Sequence, residues 1–166
     1  MRRHPPSPIC DDAEFSEDGR LRYWLSRRVA EHGPVGLMLG LNPSTAGAIS
    51  SDHTVRKWNG FAKRWGWRGY WVGNLFAHIE THSAKLKGMS YAAAGGEHND
   101  EVLTHLFGGV SQIVLCWGNN VPTALRRRTT EVVTLLGAVN PLATVRCFGL
   151  SASGQPIHPL RLSYET

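Results

Sequence analysis

Three stretches constrain this chain most: "VGLMLGL" (35–41), "GYWVGNLF" (69–76) and "SQIVLCWG" (111–118). Each is a continuous apolar run rather than an alternating one. Runs of this kind are strands buried on both faces, as in a parallel sheet covered by helices. Between them the period changes. "HTVRKWNGFAKRWG" sets Val55, Trp58, Phe61, Ala62 and Trp65 at helical spacing, with Gly66 as a stop. "GGEHNDEVLTHLFG" reads as a helix with acidic residues in its first turns. Another helix is expected from about Pro122 to Leu136, with Pro122 near its start. "ATVRCFGL" (143–150) supplies the last strand, and the tail after it reads as loop. Upstream, "RLRYWLSRRV" alternates Leu21, Tyr23 and Leu25 against Arg20, Arg22 and Ser26, the periodicity of a strand at a sheet edge. The expected architecture is a three-layer α/β/α sandwich with a mainly parallel central sheet. It forms one domain over residues 13–166, behind a Pro-rich, flexible segment at 1–12.

Composition narrows the class. A chain of 166 residues buries a core without staples. Its formal charge of +5 favours anionic partners, nucleic acid first among them. Six tryptophans exceed what packing needs and point to a ligand surface, although Trp58 and Trp65 read as core. Cys10, Cys116 and Cys147 are odd in number and widely spaced, which fits a reducing cytoplasm and excludes zinc spacing. "MRRHPPSPIC" has no apolar run, so no signal peptide is expected, and no stretch is long enough to span a membrane. A monomer without metal or cofactor is expected.

In a parallel sheet, ligands bind beyond the carboxyl ends of the strands. The first run ends in Leu41-Asn42-Pro43-Ser44, the second in Gly73-Asn74-Leu75-Phe76 and the third in Trp117-Gly118-Asn119-Asn120. The fourth leads to Gly154 and His158-Pro159. The expected rim therefore carries amides, hydroxyls, one histidine and aromatic faces, with almost no carboxylate. The chain has no Walker loop, no GxGxxG and no GxSxG elbow. His53, His78, His82, His98 and His105 show no metal spacing. Asparagine offers a donor and an acceptor together, which suits the edge of a planar base.

"GLNPSTAG" resembles the first motif, G-x-N-P-G, of the mismatch-specific and single-strand-selective branches of the uracil-DNA glycosylase superfamily. "HPLRLS" resembles its last motif, H-P-S-P, and the segments "VGNLFAHIETHSAKLKGMSYAAAGGEH" and "IVLCWG" are similar to the stretches between. The order holds over roughly residues 35–163. Ser44 replaces the second glycine, and Leu160-Arg161 replace Ser-Pro. The chain also looks like a bacterial and phage family marked by L-N-P-S-T, D-x-T-x-R, N-L-F, W-G and a late H-P, with Asp52, Thr54 and Arg56 supplying the second motif.

The glycosylase resemblance implies roles. Asn42 would position a water beneath the sugar C1′, and His158 would donate to the leaving base. Asn74 would read the base edge, Phe76 would stack on it, and Ser44 and Thr45 would add contacts. Asp52 and Arg56 read either as a helix cap and ion pair or, for Arg56, as a phosphate contact. Lys57, Lys63, Arg64, Arg68 and Arg161, or Arg126–Arg128, would hold DNA. The expected activity is base excision of uracil or a 5-substituted uracil such as 5-hydroxymethyluracil. The alternatives are a module that binds a modified base without cleaving it, and another hydrolase or transferase acting on a nucleoside.

Overall fold

The structure, a computed structural model, describes residues 9–166. Six strands form one sheet: β1 (Asp12–Phe15), β2 (Arg22–Arg28), β3 (Val35–Gly40), β4 (Gly69–Asn74), β5 (Gln112–Leu115) and β6 (Thr144–Cys147). Their spatial order is β1-β2-β4-β3-β5-β6. The four strands β4, β3, β5 and β6 run parallel, while β1 and β2 are antiparallel additions at one side. Three helices complete the domain: α1 (His53–Arg64), α2 (Gly96–Gly108) and α3 (Arg127–Val139).

Because β3, β4 and β5 are buried on both faces, each face needs its own cover. Val55, Trp58 and Ala62 of α1 pack on Leu25, Met38, Val72, Val114 and Cys116. On the other face Val102, Leu103, Leu106 and Phe107 of α2, with Val132 and Leu136 of α3, pack on Leu37, Leu39, Trp71 and Ile113. The result is the expected α/β/α layering. β3 lies between β4, reached through α1, and β5, reached through α2. The chain thus reverses its direction of travel across the sheet at β3, and a crevice opens at the carboxyl ends of β3 and β5.

Several expectations need correcting. β2 is not an edge strand, because β1 pairs along its outer side from Asp12 to Phe15. The alternation set Arg22 and Ser26 on the polar side, yet both are buried, and so is Arg27 further along the strand. The third helix begins at Arg127, after a 3-10 turn at Thr123–Leu125, so Pro122 precedes a short turn rather than the helix itself. β6 is exposed at every residue, Cys147 included. The expected flexible segment falls partly on residues 1–8, outside the described residues. Residues 9–12 are fixed: Ile9 is buried, the Cys10 carbonyl accepts from Ser26 Oγ, and Asp11 Oδ1 accepts from the Arg28 N–H. Among the described residues no helix is long and apolar enough to cross a membrane.

Candidate functional site

The crevice holds a cavity of about 700 Å³, within the usual range for a small-molecule site. Its walls come from three strand ends, the loop entering α1 and the C-terminal segment. They bring together Asn42, Ser44, Asn74, His158 and Arg161, five of the residues singled out from the sequence.

Asn42 follows β3 directly. Its Nδ2 donates to the backbone carbonyls of Pro43 (3.0 Å), His78 (3.3 Å) and Glu80 (2.6 Å). Three carbonyls around one nitrogen fix the amide orientation. Both amide hydrogens are spent on backbone, so Oδ1 is left as the acceptor of this side chain. Pro43 reinforces the arrangement, since its carbonyl also accepts from the Glu80 N–H at 3.0 Å.

Asn74 ends β4 and is 1% exposed. Its backbone carbonyl is held by Asn99 Nδ2 at 3.2 Å. The next carbonyl, of Leu75, accepts from Arg128 Nε at 2.9 Å. Asn74 Nδ2, by contrast, is buried without a partner. A buried donor left unpaired is costly and marks a place where a ligand acceptor fits.

His158 caps the 3-10 turn Pro159–Arg161, its Nδ1 accepting from the Leu160 N–H at 3.3 Å. With Nδ1 as an acceptor, the neutral ring carries its proton on Nε2, which makes Nε2–H a donor. Burial holds the His158 pKa below the usual imidazole value, and the Asp52 carboxylate pulls weakly the other way. The sign follows: the unfolded chain takes up the proton first as pH falls, so this contribution to stability is full above about pH 6.5. It is lost as pH drops through the lower, folded value. Proton NMR of the His158 ring should show a midpoint below that of a free histidine, and Asp52→Asn should lower it further while keeping the helix cap.

The segment carrying His158 is docked on β5. The Gly118 N–H donates to the Pro156 carbonyl at 2.9 Å, and Trp117 Nε1 donates to Gln155 Oε1 at 2.8 Å. Gly118 adopts φ +75°, and a Cβ there would sit 3.0 Å from the His158 Cβ. Gly118→Ala therefore combines left-handed backbone strain with pressure on His158. It should cost about 1–2 kcal/mol, read as a fall in Tm, and should move the His158 ring resonances.

The loop from Pro43 to Asp52 has no regular structure, yet two arginines of β2 shape it from below. Arg22 Nη1 donates to the Ala46 carbonyl at 2.6 Å. Arg27 donates to the carbonyls of Gly47, Ala48 and Ser50. At the end of the loop Asp52 Oδ1 accepts from the Val55 N–H at 2.8 Å and caps α1. Asp52 is thus a cap, as one of its two readings had it, but Arg56 is not its ion-pair partner. The Arg56 guanidinium lies on the Ser51 carbonyl and beside His53 Nδ1, and is exposed.

Other candidates fall elsewhere. Phe76 is 4% exposed and lies in the core beneath α2 and α3, away from the cavity. Trp58 and Trp117 supply aromatic wall instead. Thr45 is exposed and outside the cavity wall. Lys57 Nζ sits 3.9 Å from the Tyr164 ring centre, with Arg64 at 4.1 Å from the same ring, so both anchor the C-terminal segment. Lys63, Arg64 and Arg68 follow α1 to the amino end of the sheet, away from the cavity. Arg128 is buried and pairs with Asp100, so it is structural, whereas Arg126 and Arg127 are exposed, Arg127 pairing with Glu131 at 2.7 Å, and neither lines the cavity. The rim is also richer in carboxylate than expected: Asp52 and Glu80 both line the cavity. Glu80 is held ionised by the His82 N–H and Lys85. Cys116 lies under the strand end, where burial pushes its thiol up to about 12, far from a nucleophilic thiolate. Among the described residues no three His, Cys, Asp or Glu side chains are grouped to hold a metal ion.

Fold and site define an α/β protein with a polar, ligand-sized cavity at the switch point of its sheet. A family described as "Protein of unknown function (DUF1643)" matches residues 22–160, and the chain belongs to that family. No curated protein matches the chain, and no solved structure does.

Proposed function

We propose that this protein is a monofunctional DNA glycosylase acting on uracil or a 5-substituted uracil such as 5-hydroxymethyluracil. One observation carries the reading. The Asn42 amide is locked by three backbone carbonyls, which leaves its oxygen as an acceptor in the same cavity as the Nε2–H donor of a neutral His158. An amide oxygen is too weak a base to deprotonate water, so its work is to hold the nucleophile in line with C1′. His158 donates to a carbonyl oxygen of the departing base, where negative charge grows as the glycosidic bond lengthens.

Asn74 Nδ2 supplies a buried donor for the base edge, and Trp58 and Trp117 line the walls as apolar surface for a flipped base. Arg161 in the wall and the exposed Arg56 in the first turn of α1 are the candidates for phosphate contacts. The test is release of base from single- and double-stranded oligonucleotides carrying uracil, 5-hydroxymethyluracil, thymine or modified cytosines. Alkali-labile breaks at one base, lost in Asn42→Ala and His158→Ala, support the reading. Binding without breaks on any base replaces it with a base-binding module, which the unpartnered Asn74 donor serves equally well.

A further inference from the structure

The glycosylase reading uses neither of the two buried β2 arginines, Arg22 and Arg27, and Arg22 lines the cavity. Arg22 is 2% exposed, yet none of the described carboxylates lies within ion-pair distance of it. Its Nη1 serves the Ala46 carbonyl, while its Nε is buried with no partner. Asp52 supplies the main opposing charge, but Asp52 Oδ1 is committed to the α1 cap. The compensation falls short: burial still lowers the Arg22 pKa to about 10, the reverse of what a full ion pair does. Arg22 remains charged at neutral pH, so the cavity wall holds a desolvated cation that the protein does not neutralise. Asn74 Nδ2 and Trp58 Nε1 are also buried donors without a partner, and both residues line the same cavity.

We propose that Arg22 and Asn74 form a subsite for an anionic oxygen group on the ligand, a carboxylate or a phosphate. Arginine has donors only and does not ionise away, so it accepts no amino group and favours a charged oxygen over a neutral one. Asn74 alone reads either an amino or a keto group, because its amide offers both a donor and an acceptor. In a cavity that also holds Arg22, its donor is the half that counts. The surrounding charges agree with this. Glu80 is occupied by Lys85 and the His82 N–H, which leaves Asp52 against Arg22 and Arg161. The anionic group comes from one of two sources, a carboxylate on the base or the phosphate of its own nucleotide. The inference rests on the glycosylase reading only for the choice of a pyrimidine as carrier.

The experiment is calorimetric titration of the full chain with two pairs of probes: uracil against 5-carboxyuracil, and deoxyuridine against its 5′-monophosphate. A charge-assisted contact at a buried guanidinium should tighten binding about tenfold or more within one pair. That gain should vanish in Arg22→Met, return in part in Arg22→Lys and survive Lys63→Met, which removes a cation away from the cavity. The pair showing it names the source. No gain in either pair of the wild-type protein overturns the proposal without reference to any variant. So does a gain that persists in folded Arg22→Met or disappears only in Arg161→Met. Base release from uracil-containing DNA, measured in parallel, separates the two readings. Release without an anion gain keeps the glycosylase and removes the subsite; a gain without release does the reverse.

Discussion

Asn42→Ala is expected to slow base release by about 100-fold or more. Two effects coincide at this residue. The substitution removes the oxygen that places the attacking water, and it strips a donor from the carbonyls of Pro43, His78 and Glu80. The second effect costs roughly 1–3 kcal/mol of stability, so a lower Tm accompanies the loss of activity. Asn42→Asp separates them. It keeps an oxygen in place of Oδ1 but turns an anionic oxygen toward the three carbonyls, so it should fold less well than the alanine variant. Rates of base release and thermal melts of both variants check the assignment. Affinity for the free base adds the decisive contrast: it should survive Asn42→Ala if Asn74 and the tryptophans hold the base. An alanine variant that still releases base within a fewfold of wild type would remove Asn42 from the mechanism.

The central strands were legible because a strand buried on both faces has no choice but to be apolar throughout. The same runs marked where the rim lies, and Asn42 and Asn74 follow from their ends, whereas His158 reaches the rim on the segment after β6. Phe76 was misplaced because a strand end says which residues reach the rim, not which face they turn to. Two residues past Asn74, it lies in the core under α2 and α3. β1 is not legible in the sequence because "DAEF" is four residues long and half polar, and its pairing with β2 is a tertiary fact. The β2 arginines were hidden for a deeper reason. Their burial is made possible by loop carbonyls about 20 to 24 residues away, at Ala46 to Ser50, and no local pattern announces that partnership. The same blindness covers Asp52 and Glu80, which enter the cavity from a loop and from beyond the end of β4.

Arg27→Met should give a large loss of stability. The Arg27 guanidinium spends every nitrogen on the chain: Nη1 on the carbonyls of Ser26 and Ala48 at 2.7 Å, Nη2 on those of Gly47 (2.7 Å) and Ser50 (2.6 Å), and Nε on Ser51 Oγ at 3.4 Å. Pro43 to Asp52 has neither ladder nor helix to satisfy its backbone, so this side chain replaces secondary structure there. Methionine fills similar space and donates nothing. Gly47 and Ala48 are only half-buried, so water recovers part of what is lost. The net cost is about 3 kcal/mol, a fall in Tm of roughly 6–12 °C for a domain of this size. Lysine keeps the charge but lacks the planar fork that meets four carbonyls at once, and should restore only a fraction. Hydrogen exchange should speed up across 43–52 before the rest of the sheet, because the loop loses its hold while the core on either face keeps its contacts. The consequence reaches the site, since this loop begins at Asn42 and Ser44 and ends at Asp52. A methionine variant that melts within about 1 °C of wild type, with loop amides still protected, would show that other contacts hold the loop. The arginine would then be a passenger in the β2 wall rather than its clamp.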